Sequence, residues 1–187
     1  MIPANAFTVI PVFGTFLYLE DAQYTPLTQT ILGGIALNDT SHGRLYQPWT
    51  VTYNGSSITI NPNISPPVFT LVTPDVNSVS LAFDQNMSIV LAWTTSLGAN
   101  LYYFDTILST YTTRYFNGIT SCRVCVDDPR DFYAGSSDVI FGYTLANNLC
   151  YRVQRDRYNI EYIIAPTTKK LARMGPTAQN RLQFETI

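Results

Sequence analysis

Charged side chains are scarce in this sequence, and they are unevenly spread. Asp, Glu, Lys and Arg make up 13% of the 187 residues, about half of the roughly 25% found in soluble domains. Residues 1–74 carry four charges, whereas residues 121–164 carry eleven of the 24. A net charge of −2 gives no electrostatic support for a nucleic-acid partner. Since solvated surfaces normally carry many charges, the N-terminal region is predicted to be covered by other subunits, unless Ser, Thr, Asn and Gln supply its polarity.

Histidine and cysteine are also rare, which argues against most catalytic and metal sites. The single histidine, His42, sits in a turn sequence, without a nucleophile elbow or a phosphate-binding glycine loop anywhere in the chain. Three cysteines are an odd number, so a disulfide framework is not expected. Cys122 and Cys125 have metal or redox spacing but lack a second pair, and Cys150 is expected in the core. We therefore predict no catalytic residue, no cofactor and no metal ion, and a protein that is not an enzyme.

Membrane and targeting signals are missing as well. Residues 1–19 carry no charge, but Pro3, Pro11 and Gly14 interrupt them and no basic residues open the chain. Such a segment is too broken for a membrane helix and lacks the start of a secretory signal. We expect no membrane insertion.

What the sequence does contain is an internal repeat of strand-like blocks. Residues 79–116 and 122–164 align in four blocks: Phe83-Asp84 on Val126-Asp127, IVLAW (89–93) on VIFGY (139–143), NLYY (100–103) on NLCY (148–151), and YTTRYF (111–116) on YNIEYI (158–163). The insertions fall between blocks, where loops belong. Four short strands in about 40 residues are the size of one propeller blade.

The predicted fold is therefore all-β, with two tandem four-stranded antiparallel propeller-like blades; a β-sandwich is the alternative. Residues 1–33 are read as an N-terminal extended arm with strand composition at 7–10 and 15–19, and residues 34–187 as the β domain. Asn54-Gly55 predicts a two-residue hairpin, and residues 180–185 a closing strand. Residues 34–74 predict two or three strands without the aliphatic block of the repeat. Ala92 and Gly142 share a repeat position, where a small residue would admit a close neighbour.

A few polar and aromatic residues are candidates for ligand or interface contacts. Trp49 could stack on a sugar ring, although core packing is the alternative. The charged residues around the last hairpin predict a salt-bridged turn, with a phosphate or acidic-sugar site as the alternative; they are Arg152, Arg155, Asp156, Arg157 and Glu161. The loop with Asp127, Asp128 and Asp131 has three carboxylates, but its spacing matches no calcium loop.

Several strings of this sequence resemble a recurrent pattern in virion proteins of tailed bacteriophages. They are DTSHGRLYQPW (39–49), SLAFDQNM (80–87), SDVI (137–140), NLCYRVQRDRY (148–158) and NRLQF (180–184). The resemblance covers residues 36–187, and it implies a structural component of the virion, usually in the tail. It implies no catalytic residues.

The resemblance and the repeat together predict an assembly protein located in the phage tail. Two blades cannot bury their outer faces alone, so a homo-oligomer or packing against other tail proteins is expected, and a trimer of two-blade chains would close a six-blade ring. Carbohydrate binding to a host surface glycan and capsid decoration are the alternative functions.

Overall fold

A computed structural model describes residues 27–33, 47–62, 69–84, 88–127, 138–176 and 182–187. Antiparallel β-strands dominate this part of the chain, and a 3-10 helix, Gln154–Asp156, interrupts them. The all-β prediction is confirmed. None of the helical structure in the described ranges has the length and apolarity needed to cross a membrane.

The strands form four sheets in chain order. The first sheet contains β1 (Thr28–Gly33), β2 (Gln47–Tyr53), β3 (Ser57–Pro62) and β4 (Phe69–Val72); the second contains β5 (Ser78–Phe83), β6 (Ile89–Thr94), β7 (Gly98–Asp105) and β8 (Thr110–Asn117). The third contains β9 (Ser121–Val126), β10 (Val139–Leu145), β11 (Asn148–Val153) and β12 (Tyr162–Pro166), and the fourth contains β13 (Leu171–Pro176) and β14 (Leu182–Thr186). Each sheet is a simple antiparallel meander.

The second and third sheets are the two predicted four-stranded units. Every residue of their first strands, β5 and β9, is buried, because each of these strands is covered on both faces. One boundary differs from the prediction: β12 begins at Tyr162, so residues 158–161 form a turn and not the start of the last strand.

The first sheet is a further unit that the repeat did not reveal. Residues 28–33, assigned to the arm, form β1 and pair with β2; residues 1–26 of the arm lie outside the described ranges. In β2, Val51 is fully buried, whereas its neighbours Thr50 and Thr52 are only partly buried. This strand lacks the continuous apolar block because only one of its faces packs on a neighbouring sheet.

The turn between β2 and β3 is one residue longer than the predicted hairpin loop. Three residues, 54–56, separate the strands. Asn54 Oδ1 accepts a hydrogen bond from the Ser57 backbone N–H at 2.9 Å, and Gly55 takes a φ of +96°, which glycine adopts without strain.

Consecutive sheets pack face to face, with their first strands adjacent: β1 contacts β5, β5 contacts β9, and β9 contacts β13. Three apolar cores fill the spaces between them. Val79 and Leu81 face the first sheet, Ala82 and Val124 lie between the second and third sheets, and Met174 belongs to the core between the third and fourth. Neighbouring sheets are thus arranged as successive blades, and each pair forms a sandwich.

The fourth sheet contains the closing strand predicted at residues 180–185. This strand is β14, and it pairs with β13 of the same chain. Both predicted four-stranded units are present, and the described residues add a further four-stranded sheet and a two-stranded one. A six-blade ring made of three two-blade chains is therefore no longer expected, while self-association stays a prediction.

The small residue predicted at Gly142 is required by the fourth sheet. A Cβ placed on Gly142 would lie 2.6 Å from Met174 Sδ and 3.0 Å from Phe184 Cε1, both nearer than atoms pack in a protein interior. The prediction of a close neighbour at this position is confirmed.

Gly142→Ala is expected to lower the free energy of unfolding by about 1–2 kcal/mol through overpacking, although alanine in an unstrained strand usually stabilises. Urea denaturation measures this. Gly175→Ala is the matched control, because nothing lies within 4 Å of a Cβ there. A Gly142→Ala variant as stable as the native chain would show that the fourth sheet does not sit against β10.

Candidate functional site

The predicted charged residues lie in and beside one turn between β11 and β12, which we call the inter-sheet turn (residues 154–159). It starts with the 3-10 helix, and then Arg157 and Tyr158 both adopt left-handed backbone, with φ of 58° and 59°. Such a pair of non-glycine residues is uncommon. Hydrogen bonds from Arg157 N to Gln154 O and from Tyr158 N to Val153 O, 2.7 and 2.9 Å long, close the turn.

Arg157 reaches from this turn to the second sheet. Its Nε and Nη2 donate to Asp105 Oδ2 at 2.9 and 2.5 Å, and the Asp105 side chain is 1% exposed. Burial raises the pKa of Asp105, but the Arg157 guanidinium and the backbone N–H groups of Leu108 and Ile107 outweigh it, so the pKa lies below its usual value. The carboxylate stays charged and holds Arg157 in place.

Further hydrogen bonds connect the same turn to the second sheet. Arg114 Nη1 donates to Arg157 O at 3.0 Å and to Asn159 Oδ1 at 2.7 Å. Gln154 Nε2 donates to Asp84 Oδ2 at 3.0 Å. The inter-sheet turn therefore clamps the third sheet onto the second along its edge.

Tyr158 fills the core beneath the clamp. It is fully buried, and its ring meets Tyr103 edge to face at 4.9 Å. Burial, followed by the nearby carboxylates of Asp138 and Asp84, raises the pKa of Tyr158 well above its usual value. Its hydroxyl has no hydrogen-bond partner within the described ranges, so the side chain contributes here through apolar packing.

The other predicted residues of the turn are engaged by protein groups or buried. Arg152 donates to Tyr143 Oη at 2.8 Å and pairs with Glu161 at 3.2 Å. Arg155 pairs with Asp138 and, at 3.7 Å, with Asp127. The Asp156 carboxylate is buried and unpartnered among the residues with defined positions. Binding a phosphate here would require displacing existing ion pairs, so the geometry favours the salt-bridged turn.

Trp49 lies at the edge of the core between the first and second sheets. Its ring meets Phe83 edge to face at 5.0 Å, and its indole Nε1 is buried without a hydrogen-bond partner in the described part of the chain. This arrangement corresponds to the core-packing alternative and leaves little of the ring for a sugar.

The three cysteines are buried and free. Cys122 faces the second sheet and Cys125 faces the fourth, because residues three apart on a strand point to opposite faces. They cannot share a metal ion. Asp128 and Asp131 lie outside the described residues, and within those residues no group of three His, Cys, Asp or Glu side chains could hold a metal.

A cavity of about 420 Å³ opens where the first strands of the last three sheets begin. Two of its three cationic side chains are engaged by protein groups: Arg123 Nε donates to Ala172 O at 2.9 Å, and Arg173 pairs with Glu185 at 3.9 Å; Lys170 is the third. The side chains that line it in the described ranges include no aromatic ring, so no platform for a sugar is present.

An exposed apolar strand lies on the third sheet. All five residues of β12 are exposed, including Tyr162, Ile163 and Ile164. Beside it lies a mostly apolar groove of about 430 Å³, which we call the C-terminal groove; it is lined by Asp127, Ile140, Tyr151, Val153, Arg155, Ile164, Leu182 and Phe184. The sequence signal for this surface was the unbroken apolar run Tyr162-Ile-Ile-Ala165, which lacks the alternation of a solvent-facing strand.

Comparisons of the chain with protein-family models, with curated proteins and with solved structures gave no match.

Arg157→Ala is expected to lower the Tm by about 5 °C or more, because it leaves the buried Asp105 carboxylate without its partner. Thermal unfolding followed by circular dichroism measures the shift. Arg155→Ala is the comparison in the same turn and is expected to give a smaller shift: its side chain is 66% exposed and that of its partner Asp138 is 9% exposed, so water screens this pair more strongly. Equal shifts in the two variants would show that the Arg157–Asp105 pair does not clamp the sheets.

Native thiols are expected to resist iodoacetamide at mildly alkaline pH, whereas all three react after unfolding. Burial raises the pKa of the Cys122 thiol to about 12, so almost none of it is the reactive thiolate. Mass spectrometry of the labelled chain counts the modified residues. Rapid labelling of Cys122 or Cys125 in the folded chain would contradict the buried positions and restore a redox role.

Proposed function

We propose that this chain is a structural component of a tailed-phage virion, located in the tail and acting through protein–protein contacts. The observation that supports an assembly role is the exposed apolar strand β12 beside the C-terminal groove. Contiguous apolar surface of this kind is typical of a surface that is covered in an assembly. The resemblance over residues 36–187 to virion proteins suggests which assembly it is.

The chemistry of the described residues agrees with a structural role. The guanidinium groups of the inter-sheet turn are bound by carboxylates and carbonyls of the same chain, and the thiols are buried. We therefore expect no catalytic activity.

Glycan binding and capsid decoration are the alternative functions. Glycans often stack on exposed aromatic rings, but the candidate Trp49 packs against Phe83. A glycan array tests this alternative directly. A decoration protein would use the same apolar surface, so only its location in the particle separates it from a tail protein.

The chain is expected in purified virions at a fixed number of copies, and in the tail fraction after heads and tails are separated. Quantitative mass spectrometry of both fractions measures this, with a soluble host protein as the control for contamination. Recovery with the heads would favour decoration, and absence from the particles would overturn the proposal.

A further inference from the structure

Among the described residues, the fourth sheet has two strands where each of the others has four. In the second and third sheets the third strands lie over one another: Leu101 and Tyr103 of β7 share a core with Cys150 of β11. In the fourth sheet β13 covers β9, and Phe184 of β14 reaches Tyr151 of β11 at 6.5 Å. Within the described ranges nothing covers β12.

The C-terminal groove is the space that two further strands would occupy. Leu182 and Phe184 of β14 form one side of it, and Tyr151 and Ile164 of the third sheet form its floor. The outer edge of β14 has no paired strand among the described residues. An apolar groove next to an open strand edge is suited to β-strand addition, in which backbone hydrogen bonds and alternate side chains both contribute.

The N-terminal arm has the composition to fill this space. Its segments 7–10 and 15–19 are two strand-like runs separated by Pro11 and Gly14, and residues 1–19 carry no charge. An uncharged pair of strands matches a groove whose lining is mostly apolar. The two segments also equal the number of strands that the fourth sheet lacks.

Segment 15–19 of the same chain cannot reach the groove, so the two segments cannot enter it together. From Leu19 to the start of β1 at Thr28, nine residue steps span at most about 30 Å when fully extended. The first and fourth sheets are three face-to-face spacings apart, about 10 Å each, and the groove is displaced sideways beyond β14. The connection would also have to pass around the two sheets between them.

We propose that residues 7–19 of a second copy of this chain add to β14 as its third and fourth strands and cover the C-terminal groove. This inference deepens the assembly role proposed above by naming a partner, a second copy. The test uses the purified chain and not the virion. A negative result would therefore reject this strand addition and leave the virion location to its own experiment, so the two failures are distinguishable.

The test compares solution masses of the native chain and three variants by light scattering after size exclusion. Leu17→Pro removes a strand from the arm, and Ile164→Glu places a charge in the groove. Ile163→Glu is the matched control: Ile163 pairs with Cys150, which faces the second sheet, so it lies on the other face of β12. The native chain and Ile163→Glu are expected to be oligomeric, and Leu17→Pro and Ile164→Glu monomeric, all four with the same β-sheet circular dichroism.

Hydrogen exchange of the native chain provides a second measurement that does not depend on any variant. Amides of residues 7–19 are expected to be protected at micromolar concentration and to lose protection on dilution. A monomeric native chain, an oligomer that survives Leu17→Pro or Ile164→Glu, or protection that is independent of concentration would each overturn the proposal. The last result would assign the groove to the chain's own arm.

Discussion

The apolar core between the second and third sheets is the contact on which the other sheets depend. Phe141, Tyr143 and Tyr158 are completely buried there, and each contributes about 2–3 kcal/mol through the area it removes from water. The two sheets bury these residues only when they are together, because an isolated sheet leaves one face of each strand in water. The inter-sheet turn and its Arg157–Asp105 pair lie along the edge of this core and hold the two sheets together in one relative position.

The two ends of the stack differ in chemistry. On the outer face of the first sheet, Thr52 and Thr59 pair across neighbouring strands and Thr70 continues the row, which is a polar surface that water can solvate. At the other end, the exposed residues of β12 and the groove beside them are mostly apolar. A stack with one polar end and one apolar end is suited to association through the apolar end, which is consistent with the proposed assembly role.

The type of candidate site could be predicted from the sequence, but the residues that pair with its side chains could not. The density of Arg, Asp and Glu around residues 152–161 correctly indicated a salt-bridged turn, because opposite charges at short spacing favour local pairing. The partner of Arg157 is Asp105, 52 residues earlier, and no local pattern connects them. Trp49 was a candidate because tryptophan is a residue type that stacks on ligands. Its contact with Phe83 forms only when the first and second sheets pack together, which the local sequence does not show.

By itself the sequence determined the strand content, the two units at 79–116 and 122–164, and the need for a small side chain at Gly142, because these follow from local periodicity and from a repeat that is visible in the chain. The tertiary structure alone decided that β1 to β4 form a third unit, that β12 is exposed and that the fourth sheet has two strands in the described ranges. The physical reason is that the apolar pattern of a strand depends on how many of its faces are covered, and the covering residues are distant in sequence.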